Sequence, residues 1–94
     1  MSDPLNQVFS ALADPNRRHV LGYLADHGSA TATELTGELP ISRQAVSKHL
    51  ATLSDAGLVS AQRAGRETRY RLTDAGTEWD ERLEALQRHL RRRR

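Results

Sequence analysis

A mainly α-helical fold carrying one small β-hairpin is predicted by three observations in this sequence. Residues 42–56 hold helix start and stop signals around an apolar stripe, residues 58–72 switch to alternating polarity about a turn, and residues 74–90 carry apolar side chains spaced 4-3-4. With three helical segments upstream, the predicted order is four helices, a hairpin and a last helix, the plan of a winged helix-turn-helix domain.

The first helix is expected over 3–13, because Leu5, Val8, Phe9 and Leu12 repeat at i, i+3, i+4 and i+7. Asp14-Pro15 ends it and supplies an N-cap and an N1 proline for a second helix over 15–27. Val20, Leu21 and Leu24 form the inner stripe of that helix, and Gly28 closes it. Thr31 to Glu34 is a capping box for a third helix over 31–39, with Leu35 and Leu39 inward and Pro40 blocking its continuation.

The fourth helix, 42–56, opens with Ser42 as cap and Ile41 placed to staple onto Val46, and Gly57 stands where a left-handed C-terminal cap belongs. Val46, Leu50 and Leu53 turn one stripe toward the core. The face left over carries Arg43, Gln44, Ser47 and Lys48, side chains able to reach base edges and phosphates from a major groove. The third and fourth helices make the helix-turn-helix, in which the first crosses the DNA backbone and the second enters the groove. A polar stripe is also what any solvated helix face looks like, so the neighbouring hairpin matters.

Strands are expected over 58–63 and 66–72 around an Ala64-Gly65 turn, with Thr68, Tyr70 and Leu72 alternating with Glu67, Arg69 and Arg71. Arg63, Arg66, Arg69 and Arg71 give this wing guanidinium groups suited to phosphate oxygens or a narrow minor groove. Any one of them alone reads as an ordinary surface residue. Thr73 then caps the last helix, 74–90, whose Trp79, Leu83, Leu86 and Leu90 form a narrow seam for the domain's own core or for a second subunit.

A chain of 94 residues supports one domain, 1–94, and 37% hydrophobic with 4% aromatic content implies a small aliphatic core. Such a core gains from dimerisation, and a two-fold dimer would set two recognition helices about 34 Å apart, one turn of DNA. No stretch reaches a membrane span and no signal peptide is evident, so a cytoplasmic location is expected. The complete absence of cysteine excludes disulfides, thiolate metal sites and cysteine nucleophiles. No nucleophile, base and orienting group share a motif, and Gly65 and Gly76 read as isolated punctuation, so the chain is not expected to be an enzyme or to use a cofactor.

The net charge of +2 is unevenly spread. Residues 1–41 set two arginines against five acids, net −3; residues 42–71 set six basic side chains against Asp55 and Glu67, net +4; residues 72–94 set six arginines against five acids, net +1. The positive segment coincides with the predicted reading element, the footprint a polyanion requires. The Arg91 to Arg94 tail is expected to be frayed and solvated.

The motifs Leu12-Ala13-Asp14-Pro15-Asn16-Arg17-Arg18, Val46-Ser47-Lys48-His49-Leu50, Ala56-Gly57-Leu58-Val59 and Tyr70-Arg71-Leu72, in this order, closely resemble the arsenic-repressor (ArsR-type) family over nearly the whole chain. The resemblance implies a winged-helix homodimer that binds an operator near a promoter and usually represses transcription, with dimer contacts from the first and last helices. It does not extend to sensing. The cysteine pair through which many members bind metal is missing, and Asp80, Glu84 and His89 on the last helix lack the paired histidines of the family's second metal site, so no metal is expected. His49 reads as a packing and hydrogen-bonding residue, while His19 and His27 are scattered.

The expected function is therefore sequence-specific binding of double-stranded DNA at an inverted repeat. The candidate DNA-binding residues are Ser42, Arg43, Gln44, Ser47, Lys48, Arg63, Arg66 and Arg69. The candidate dimer interface is Leu5, Val8, Phe9, Leu12, Trp79, Leu83, Leu86 and Leu90. Any effector would be a small organic ligand or a partner protein. Two competing readings are a protein-docking module using the Trp79 to Leu90 stripe and a nucleoid-type protein that binds DNA without site preference.

Overall fold

Two prolines and five capping side chains set where the helices begin. In the computed structural model, which describes residues 3–92, α1 (Pro4–Leu12) starts behind Asp3, whose side chain accepts from the Leu5 amide at 3.2 Å. Asp14 does the same for α2 (Pro15–His27), accepting from Asn16 at 2.7 Å and Arg17 at 3.4 Å. Those amides hold the Asp14 carboxyl below its usual range against the desolvation that opposes them. The two arginines of the same motif point back to α1: Arg17 Nε donates to the Ala11 carbonyl at 2.6 Å and Arg18 Nη1 to the Leu12 carbonyl at 2.6 Å. Carbonyls that a helix C-terminus leaves orphaned are thereby satisfied.

β1 (Ala30–Thr31), α3 (Ala32–Glu38) and α4 (Arg43–Asp55) follow, then β2 (Val59–Ala64), β3 (Glu67–Leu72) and α5 (Asp74–Arg92). The expected capping box is formed, with the Glu34 amide donating to Thr31 Oγ1 at 3.1 Å and the Thr31 amide to Glu34 Oε1 at 2.9 Å. Ser42 Oγ accepts from the Ala45 amide at 3.1 Å to start α4. After α4 the Leu58 amide donates back to the Leu53 carbonyl at 3.0 Å, and Gly57 between them adopts φ +80°.

The fold is mainly helical with a winged helix-turn-helix arrangement, but the wing is a three-stranded antiparallel sheet in the order β1-β3-β2 rather than a lone hairpin. β1 adds two residues that pair Ala30 with Tyr70 and Thr31 with Arg69. Two residues are too few for an alternation signal, which is why the sequence did not show them. The hairpin turn is also one residue later than expected: Ala64 pairs with Glu67, leaving Gly65 and Arg66 as the two turn residues, with Gly65 at φ +63°. At the other end α5 runs on through Arg91 and Arg92, which were expected to fray and are instead helical, cations favoured at a helix C-terminus. Arg93 and Arg94 of that tail lie outside the described residues.

The core is aliphatic, built from Val20, Leu21 and Leu24 of α2, Leu35 of α3, Val46, Leu50 and Leu53 of α4, and Leu58 and Val59 entering β2. Ile41, placed to staple α4, packs against this cluster. Leu12 belongs to it as well, only 7% exposed, so it is closed to a second subunit, contrary to its expected place in a dimer interface. Val8, Trp79 and Leu83 are half-buried against the same cluster, with Phe9 and Trp79 in an edge-to-face contact at 5.7 Å. Among the described residues no helix is long and apolar enough to cross a membrane.

Candidate nucleic-acid interface

The stripe Val46, Leu50 and Leu53 is fully buried, and that fixes the rotation of α4. Arg43, Gln44, Ser47 and Lys48 are consequently all exposed on the opposite side. Ser42 is exposed too, but its oxygen is engaged as the α4 cap, which leaves only its hydroxyl proton for an outside acceptor.

α4 is tied to the α1–α2 corner from behind. Arg17 Nη1 lies 3.1 Å from His49 Nδ1, and its Nη2 donates to the Ser10 carbonyl at 3.2 Å. A guanidinium only donates, so in this contact His49 Nδ1 is the acceptor. His49 is half-buried and is the hydrogen-bonding residue its motif suggested. The Arg17 partner, 32 positions away, has no local sequence signal.

An open cleft separates α4 from the wing. Arg43 and Ser47 line one wall; Arg66, Thr68 and Tyr70 line the other; Thr31, Thr33, Glu34 and Glu67 complete the rim. In the sequence Thr68 and Tyr70 show only strand alternation, and nothing in the local pattern distinguishes a strand residue facing a cleft from one facing solvent. Arg66 at the hairpin tip and Arg63 on β2 are exposed. Among the described residues, neither they nor Arg43 and Lys48 have an acidic partner within bonding distance. Four cations thus face outward with their donors uncommitted, from a helix about as wide as a major groove and from the wing beside it.

Arg69 departs from this group. Its guanidinium donates to Ser29 Oγ at 3.1 Å, Glu34 Oε1 at 3.2 Å and Glu67 Oε2 at 3.4 Å, so its donors are directed at the protein. The amide of Thr31, and then Arg69, hold the Glu34 carboxyl below the usual carboxylate range. On the far side of the domain, burial and the neighbouring carboxylates Glu84, Asp26 and Glu81 push Asp80 up. Among the described residues no group of three His, Cys, Asp or Glu side chains is arranged to hold a metal ion.

Comparison with known proteins agrees with this geometry. Residues 12–60 match a family described as a helix-turn-helix domain. The chain is 40% identical over 72 residues to the HTH-type transcriptional regulator YuzN of Bacillus subtilis, covering 70% of this chain and 78% of that protein. It is 36% identical over 72 residues to the arsenic resistance transcriptional regulator ArsR1 of Pseudomonas putida, covering 77% of this chain but only 56% of that longer protein. Among solved structures, an ArsR-like transcriptional regulator from Rhodococcus superposes with a TM-score of 0.72 at 40% identity, covering 96% of this chain and 85% of that one.

Proposed function

Because this chain belongs to the ArsR-type family of helix-turn-helix transcriptional regulators, we propose that it represses transcription in the cytoplasm as a homodimer bound to an inverted-repeat operator in double-stranded DNA. It is a regulator and not an enzyme. The observation that carries the proposal is one cleft walled by Arg43 and Ser47 of α4 and by Arg66 of the wing, with Gln44 and Lys48 on the same helix and Arg63 on β2 exposed and uncommitted. Gln44 and Arg43 have the bidentate geometry that reads adenine and guanine edges, whereas the wing arginines suit phosphates. The chain holds no cysteine, so release from DNA does not use the thiolate chemistry of metal-sensing relatives.

Selection of bound fragments from genomic DNA, followed by titration of a fluorescent duplex carrying the recovered repeat, tests this. Binding no tighter than to random duplex would remove the sequence-specific part. Within the same titration, Gln44→Ala with Ser47→Ala is expected to reduce the preference for the recovered site by about 1–3 kcal/mol per lost base contact. Arg66→Ala is expected to weaken every duplex alike and to lower the slope of log affinity against log salt by about 0.9.

A further inference from the structure

Two carboxylates stand where a polyanion would dock. Glu34 and Glu67 both line the cleft between α4 and the wing, and each would repel phosphate if left uncompensated. Arg69 engages both, through Nη2 to Glu34 Oε1 at 3.2 Å and Nη1 to Glu67 Oε2 at 3.4 Å, while its Nε is held by Ser29 Oγ at 3.1 Å. Each guanidinium nitrogen therefore has one protein partner, three of the five N–H donors being engaged, and the side chain is only 33% exposed.

The strand register explains the convergence. Arg69 pairs across the sheet with Thr31, the N-cap of α3, so the box that starts the helix-turn-helix lies beside the central strand of the wing. One oxygen, Glu34 Oε1, accepts both from the Thr31 amide at 2.9 Å and from Arg69. The first helix of the reading element and the wing are thereby joined at a single carboxylate.

We propose that Arg69 is a positioning and charge-compensating residue for DNA binding, which holds the wing against α3 and offsets part of the negative charge of Glu34 and Glu67 at the cleft rather than gripping phosphate itself. The proposal rests on the DNA-binding reading above. Exposed ion pairs of this kind add little to fold stability, so the consequence falls on the angle of the wing and on the field at the cleft.

A double-mutant cycle on the full chain tests it, using Arg69→Ala, the pair Glu34→Gln with Glu67→Gln, and all three changes together. Glutamine keeps the oxygen that caps α3, so the helix start survives the change. Arg69→Ala is expected to weaken the selected duplex by on the order of tenfold with an unchanged salt slope. The two glutamines are expected to recover at least about threefold of that loss in the Arg69→Ala background, the remainder being the lost hold on α3, and to raise rather than lower the parent's affinity. Such rescue is not available to a residue that merely stabilises the fold. A salt slope reduced by about 0.9 without rescue marks Arg69 as a phosphate contact and overturns the proposal while DNA binding stands. A parent protein that prefers no selected duplex overturns the DNA-binding reading itself, and with it the role given to Arg69.

Discussion

Replacing Gly76 by alanine is expected to destabilise the protein by about 3 kcal/mol or more, although intrinsic helix propensity alone favours alanine by about 1 kcal/mol. Gly76 is buried near the start of α5. A Cβ there would overlap the Leu58 carbonyl oxygen and lie 3.1 Å from the Leu58 carbonyl carbon and 3.2 Å from Leu72 Cδ2. The obstacle is backbone, and it is pinned. Thr73 donates its amide to the Leu58 carbonyl at 3.1 Å and its hydroxyl to the Gly57 carbonyl at 2.7 Å, while its Oγ1 accepts from the Gly76 amide at 3.0 Å. Leu58 itself is fully buried in the core. A methyl group at position 76 must therefore either separate α5 from the α4–β2 corner or break the Thr73 cap. Gly37, exposed on α3 with nothing within 4 Å of a built Cβ, is the matched control. Gly37→Ala is expected to be neutral or to stabilise by up to about 1 kcal/mol. Urea unfolding of both variants checks the pair, and a Gly76→Ala protein as stable as the parent would show that α5 does not dock through this contact.

Gly76 also marks the limit of what local sequence conveys. Read alone it was punctuation, because the residue that makes it necessary, Leu58, lies on a different element. Interactions confined to one turn were legible: the Thr31–Glu34 box, the Ser42 cap and the Thr73 cap all have both partners within three positions. Periodicity gave the faces of α4 correctly, since three buried aliphatics leave little choice of rotation. It did not do so on α1. There Leu5, Phe9 and Leu12 share one apparent stripe, yet Leu12 is in the core while Leu5 and Phe9 are about half exposed. A repeat of 3.6 residues per turn states that side chains lie near one face, and the neighbours decide where that face is cut by solvent. Arg69 is the same problem in the functional site. Alternation placed it on an outward strand position beside other arginines, but its partners Ser29 and Glu34 come from the loop before a strand too short to announce itself and from a helix 35 positions away.

Leu86→Glu together with Leu90→Glu is expected to leave a folded monomer whose operator affinity is lower by about two orders of magnitude or more. The expectation follows from where α5 ends its service to the core. Trp79 and Leu83 pack half-buried against it, whereas Leu86 and Leu90, one and two turns further on, are 52% and 54% exposed. Leu5 and Phe9 of α1 are exposed to 50% and 51%, and Phe9 is joined to α5 through the Trp79 ring. Four large apolar side chains on α1 and α5 are thus half exposed, apolar area of the kind that marks an interaction surface when it is gathered. On the proposed two-fold arrangement the patch meets its own copy, so each glutamate pair is introduced twice into one desolvated interface, facing like charge. Fold stability should change little because neither leucine belongs to the core cluster. Operator affinity should change greatly because separated subunits no longer bring a second recognition helix to the adjacent half-site at high effective concentration. Sedimentation equilibrium read beside DNA titration checks both halves. A variant that stays dimeric would place the interface elsewhere, and a parent that is already monomeric at the concentrations where it binds its operator would detach DNA binding from dimerisation altogether.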